Sequence, residues 1–188
     1  MILVICGPSG VGKGSFIHYM MSKYPNKFSL SISHTTRKPR TGETHGVDYY
    51  FVTKEKFFEK VKNNDFVEYA EYNKNYYGTS KAEMLRCTEQ KDKVVILEIE
   101  IVGAMEIKRL LGDKAKYIKV IPPSFETLEK RLHKRQTETD EEISERIKWT
   151  EQELVKMEEM EFDDTIISDK LESSCVEFDK LIHSYLSN

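Results

Sequence analysis

Long apolar runs are missing from this sequence: no stretch approaches the roughly 18 consecutive apolar residues of a membrane-spanning helix. Cysteine is scarce, and Cys6, Cys87 and Cys175 lie far apart without metal or redox spacing. They read as reduced thiols, and no disulfide framework is expected. Surplus positive charge is also absent. Lys and Arg number 29 against 32 Asp and Glu, a net charge of -3. That balance argues against a general binder of nucleic acid or membrane, which needs a broad basic face. The apolar start Ile2–Cys6 has no basic lead-in and reaches Gly7 too soon for a signal sequence, so a cytoplasmic protein is expected. Internal repeats and low-complexity linkers are lacking. What remains, 188 residues with 39% hydrophobic and 32% charged side chains, suits one compact unit with inserted lobes, expected as a monomer.

The most informative segment follows that first apolar run: Gly7-Pro-Ser9-Gly10-Val11-Gly12-Lys13-Gly14-Ser15 leads from a buried strand into a helical pattern. A triphosphate needs inward backbone N–H groups, no Cβ atoms in the way, a helix N-terminus and one cation. The glycines give the room and Lys13 the charge. The usual hydroxyl directly after the lysine is displaced by one place to Ser15, because Gly14 intervenes. A Gly-Lys-Gly-Ser spacing resembles nucleoside monophosphate kinases more than GTPases.

Period and punctuation predict the rest. Helical spacing is expected over 13–24, 54–64, 80–90, 102–111, most of 124–162 and 171–186; strands are expected over 28–33, 48–53, 66–72, 76–79, 94–100, 117–121 and 165–168. The fold class is α/β, a parallel phosphate-loop core with helices on both faces. A small strand-rich insertion at 34–92 and a helical lid at 124–150 interrupt the core segments 1–33, 93–123 and 151–188. Trp149 is expected to pack the lid helix against the core. Glu98 and Glu100, two apart at a strand end, project on one face toward the ligand crevice.

In the insertion, Arg37 and Arg40 flank a proline, and two such guanidiniums can clamp one phosphate with Tyr49 and Tyr77 as phenolic donors. Here the chain closely resembles the guanylate kinase family. The residues that carry the likeness are Ser33-His-Thr-Thr-Arg37-x-Pro-Arg40-x-Gly42-Glu43, Gly46-x-Asp48-Tyr49-x-Phe51-Val52, Phe66-x-Glu68 and Asn75-x-Tyr77-Gly78-Thr79. The resemblance implies ATP-dependent phosphorylation of GMP, and of dGMP, with Mg²⁺. It implies that Gly7, Ser9, Gly10, Val11, Gly12, Lys13, Gly14 and Ser15 bind ATP. Arg37, Arg40, Tyr49 and Tyr77 would then hold the GMP phosphate, with Ser33, Glu68, Thr79 and Glu100 at the base.

Guanine offers N1–H and a 2-amino group beside the O6 acceptor. Glu68 can accept both donors while Ser33 or Thr79 donates to O6; adenine would leave buried groups unpaired. By the same likeness Glu98 stands near the phosphates and, through water, the Mg²⁺ ion, with Ser15 near that ion's shell. Lys13, Arg37, Arg131, Arg135 and Arg146 would supply the catalytic cations, since phosphoryl transfer rests mainly on positioned charge. Ser168 and Asp169 are candidates for gripping adenine. The rivals are a non-catalytic interaction module of the same fold and a kinase for AMP or UMP.

Overall fold

The computed structural model describes residues 1–133 and 140–187. In chain order these form β1 (Ile2–Cys6), α1 (Lys13–Lys23), β2 (Phe28–Leu30), β3 (His34–Thr35), β4 (Tyr50–Phe51), α2 (Lys54–Lys62), β5 (Phe66–Tyr72) and β6 (Asn75–Ser80). There follow α3 (Lys81–Thr88), β7 (Val94–Ile99), α4 (Ile101–Leu111), β8 (Ala115–Ile121), α5 (Phe125–His133), α6 (Asp140–Met157), β9 (Asp164–Ile167) and α7 (Leu171–Leu186).

Five strands make a parallel sheet in the order β2-β7-β1-β8-β9. Its central strand explains the layering. Successive residues of β1 point to opposite faces, so Leu3 and Ile5 pack with Phe16, Ile17 and Met20 of α1 and Phe178 of α7, whereas Val4 and Cys6 pack with Ala104 and Ile107 of α4 and Met157 of α6. The α/β class expected from the sequence is the one observed. All three cysteines are buried and unbridged. No described helix is long and apolar enough to cross a membrane.

A second, mixed sheet, β4-β3-β6-β5, stands at the carboxyl end of β2 and β7. Its helices start on hydroxyl caps: Thr53 Oγ1 accepts from Lys56 N at the head of α2, and Ser80 Oγ from Glu83 N at the head of α3. The strand expected over 28–33 stops at Leu30. There Ser31 N makes a last bond to Ile96 O, and Ile32 N turns to the Glu83 carboxylate. The strand expected over 48–53 shrinks to Tyr50–Phe51, because Asp48 accepts from Thr44 N and Gly46 N from within the loop bonds Tyr49 O.

Candidate active site

After β1 the chain turns through Gly10 and Gly12, at φ 88° and 112°, a region that favours glycine. Gly7 is required for a different reason: a Cβ there would collide with the backbone carbonyl of Val120 on β8. α1 then starts at Lys13, whose ammonium folds back onto Gly7 O at 2.5 Å and lies buried. Burial pulls its pKa down, but Glu100, Glu98 and Glu153 outweigh that and hold it above the ordinary lysine value. Lys13 therefore stays charged at neutral pH.

A cleft of about 770 Å³ opens over this loop, lined by Ser9, Gly10, Gly12, Lys13, Gly14 and Ser15 on one side and by Arg40, Tyr49, Glu98 and Glu100 on the other. A second cavity of about 680 Å³ holds Arg37, Arg40, Tyr49, Tyr77 and Arg146, and it shares Ser9, Arg40, Tyr49 and Glu100 with the first. A third, of only about 20 Å³, lies among Ser33, Glu68, Tyr77, Glu98 and Glu100. Glu100, the residue preceding α4, borders all three.

Arg37 is fastened to Glu43, with Nη1 and Nη2 on the two carboxylate oxygens at 2.9 and 2.8 Å. Glu43 also accepts from Arg40 N at 2.7 Å. The Arg37 guanidinium stands 5.3 Å from the centre of the Tyr49 ring, which meets Tyr77 edge-on at 6.1 Å. Burial pushes both phenols up, so each remains a hydrogen-bond donor at neutral pH.

Alternation along β5 turns Phe66, Glu68, Ala70 and Tyr72 inward, and the pairing with β6 shifts register between Phe66 and Glu68. Glu68 Oε1 accepts Thr79 N at 2.8 Å. Burial, against the opposing pull of Thr79, raises the Glu68 pKa to about 7. The space for this carboxyl comes from Gly103 on α4, where a Cβ would stand 3.0 Å from Glu68 Cδ and nearer still to Oε2. Thr79 Oγ1 is buried without a bonded partner. A dry carboxyl and an unbonded hydroxyl side by side suit a ligand edge that carries both donors and an acceptor.

From the opposite side, Arg131 of α5 reaches Val11 O and Ser168 Oγ at 3.4 and 3.3 Å and Asp169 O at 2.5 Å. Ser168 Oγ is itself bonded to Val11 O at 2.6 Å. Arg146 of α6 is buried and donates to Ser9 Oγ. Arg135 lies outside the described residues. Trp149 does not pack on the parallel core: its ring meets Tyr72 of β5 at 6.2 Å, because α6 lies beside the β5–β6 turn, where Lys74 also pairs with Glu145 at 2.8 Å.

Sequence reading missed Glu153. The buried stripe of α6 runs Ile143, Arg146, Thr150, Glu153, Met157, with polar residues in its middle. Neither Glu153 oxygen has a conventional donor, and Glu100 Oε2 is in the same position. Burial, then the facing Glu100 carboxyl, raises Glu153 well above a normal carboxyl. Helical spacing from Ile143 to Met157 was the signal that places Glu153 inward.

An oxygen donor set suits Mg²⁺, and Glu98 fits it: its oxygens stand 3.9 and 4.0 Å from where a Gly14 Cβ would be, over the first turn of α1 that carries Ser15. Among the described residues no group of three His, Cys, Asp or Glu forms a metal cage. An ion there would depend on nucleotide phosphates for most of its ligands.

A parallel sheet with a glycine-rich phosphate loop at the carboxyl edge of its central strand defines a phosphate-loop nucleotide-binding fold. The particular branch follows from comparison with known proteins. Residues 1–185 match the family model described as guanylate kinase. The chain is 41% identical over 184 residues to a guanylate kinase of Clostridioides difficile, covering 98% of this chain and 87% of that protein. It is 42% identical over 185 residues to that of Mycoplasmoides gallisepticum, covering 98% and 93%. The crystal structure of guanylate kinase from Anaplasma phagocytophilum matches with a TM-score of 0.74 at 25% identity, over 98% of this chain and 85% of that one. The chain belongs to the guanylate kinase family, enzymes that phosphorylate GMP to GDP with ATP.

Proposed function

We propose that this protein moves the γ-phosphoryl group of ATP directly onto the phosphate of GMP or dGMP, acting as a cytoplasmic monomer with Mg²⁺. The observation that carries this reading is the wall shared by the two larger cavities, Ser9, Arg40, Tyr49 and Glu100, with the small pocket ending on Glu68. Triphosphate on the loop and monophosphate on the arginines would meet across that wall. Residues 34–92 serve as the GMP-binding lobe, 124–150 as the lid and the remainder as the core.

Lys13 exchanges Gly7 O for phosphate oxygens, while the amides from Ser9 to Ser15 cradle the chain of phosphates. Arg37 and Arg40, with the phenols of Tyr49 and Tyr77, orient the acceptor phosphate. Its oxygens are ionised at neutral pH, so no general base is assigned. Arg131, Arg135 and Arg146 draw in on the lid side and offset charge on the group in flight. Ser15 and, through water, Glu98 would hold Mg²⁺, which when bound supplies charge neutralisation at the β- and γ-phosphates. Glu68, Ser33, Thr79 and Glu100 select guanine, and Ser168 and Asp169 flank the adenine.

Magnesium- and ATP-dependent release of ADP tests this with GMP, dGMP, AMP and UMP as acceptors. Turnover is expected with GMP and dGMP, with AMP lower by a factor of roughly 10⁴. A folded protein that leaves GMP unchanged is the interaction module instead; equal use of AMP overturns the role of Glu68.

A further inference from the structure

The chain passes between the two sheets twice, outward over residues 31–33 and back over 89–93, with α3 just before the return. One ion pair on α3 ties the outward passage to the helix from which the return departs. Glu83, buried at 4% exposure, accepts Ile32 N on Oε1 at 2.8 Å and lies 3.4 Å from the Tyr50 hydroxyl on Oε2. Arg86 binds the same carboxylate with Nη2 at 2.6 Å and Nε at 3.0 Å, then reaches Leu30 O at 2.9 Å. The outward passage is thus gripped at Leu30 and Ile32, directly before Ser33. Tyr50 closes the arrangement from the other side, its N–H donating to Ser33 O at 2.9 Å. Thr79 is tied in as well, since the next residue, Ser80, caps Glu83 N at 3.2 Å.

The pocket among Ser33, Glu68, Glu98 and Glu100 measures about 20 Å³ of water-accessible space, room for about one water and far short of a purine. A purine enters only if β3, β5 and β6, which carry or flank Ser33, Glu68 and Thr79, move against β7 and α4. Such a swing turns on the two passages. A hinge works when the parts near it keep their mutual geometry while the rest moves. Held by α3, Ser33 and Thr79 travel as one unit.

We propose that Glu83 and Arg86 are positioning residues for the second substrate: together they join the two inter-sheet passages into one hinge and keep Ser33 in register with Thr79 for the guanine edge. This rests on the GMP reading above. Arg86 supports the assignment by its exposure. With 45% of its side chain open to water, it is not needed to fill the core, yet it makes three bonds to carboxylate and carbonyl oxygens at the passage.

The test compares Glu83→Ala, Glu83→Gln and Arg86→Met with the parent protein by steady-state kinetics in each substrate and by calorimetric GMP binding. In Glu83→Ala and Arg86→Met the KM for GMP is expected to rise about tenfold, with KM for ATP within about twofold, because only the GMP register is lost. Glu83→Gln keeps an oxygen for Ile32 N–H and recovers most of the affinity. An unchanged KM for GMP in the folded variants overturns the hinge, and so does a parallel rise in both KM values, which marks general destabilisation. If Glu83→Ala does not fold, Arg86→Met and Glu83→Gln decide the same question. Absence of GMP turnover in the parent protein overturns the functional reading itself and the hinge with it.

Discussion

In its proposed role at the guanine edge, Glu68 would join selectivity to acidity in one side chain. Its carboxyl sits in a dry site that raises its pKa from 4.5 to about 7. The neutral form is the one the empty fold favours, so its contribution to stability is complete below about 4.5 and is lost as pH rises toward 7. Guanine needs the opposite form, since only the carboxylate accepts both N1–H and the 2-amino group. With Glu68 as the proposed reader of guanine, binding GMP would expel a proton. The KM for GMP is expected to rise as pH falls below about 7, with proton release on binding seen as a dependence of calorimetric heat on buffer ionisation. Glu68→Gln should weaken GMP by at least about tenfold and remove that part of the pH dependence, leaving only the titration of the nucleotide phosphate. A profile identical in the two proteins would sink the assignment. The sequence made Glu68 visible through alternation: it shares the inward face of β5 with Phe66, Ala70 and Tyr72. It did not reveal Gly103 as the residue that vacates room for the carboxyl, because that contact joins a strand to a helix 35 positions away.

Elements show where local pattern suffices and where it fails. α4 is an ordinary helix by its spacing, and alanine in place of a mid-helix glycine normally stabilises by about 1 kcal/mol. At Gly103 that gain is opposed by the clash with Glu68. We expect Gly103→Ala to leave the melting temperature nearly unchanged and the KM for ATP intact, while GMP affinity drops at least about tenfold. An affinity like the parent's would show that the carboxyl has slack. Strands with full alternation, such as β5, and buried runs, such as β7, were legible to within a residue or two. β4 was not, because its length is cut by the loop bonds of Thr44 and Gly46, and such bonds depend on tertiary placement. Glu153 escaped notice for a related reason. Charged residues crowd α6, and only the buried course through Arg146, Thr150 and Met157 separates the inward glutamate from the outward ones.

For the whole molecule, the parallel core was readable from the alternation of apolar runs and helices, whereas the meeting of α6 with the second sheet was not. That meeting offers a probe. Trp149, the single tryptophan of the chain, is half-buried against Tyr72. If a base enters by a swing of the second sheet, this contact loosens and the indole meets more water. Addition of GMP should shift Trp149 emission to longer wavelength, and Trp149→Phe should abolish the signal; constant emission at saturating GMP would count against the swing. Finally, consider what four of the proposed phosphate ligands do before substrate arrives. Lys13 donates to Gly7 O, Arg37 to Glu43, Arg131 to Asp169 O and Arg146 to Ser9. A small anion gains only the loop amides in exchange for displacing these internal acceptors, whereas a nucleotide adds its base contacts. The resting enzyme should thus respond weakly to the inorganic phosphate and chloride around it, and strongly to anions that arrive with a purine attached.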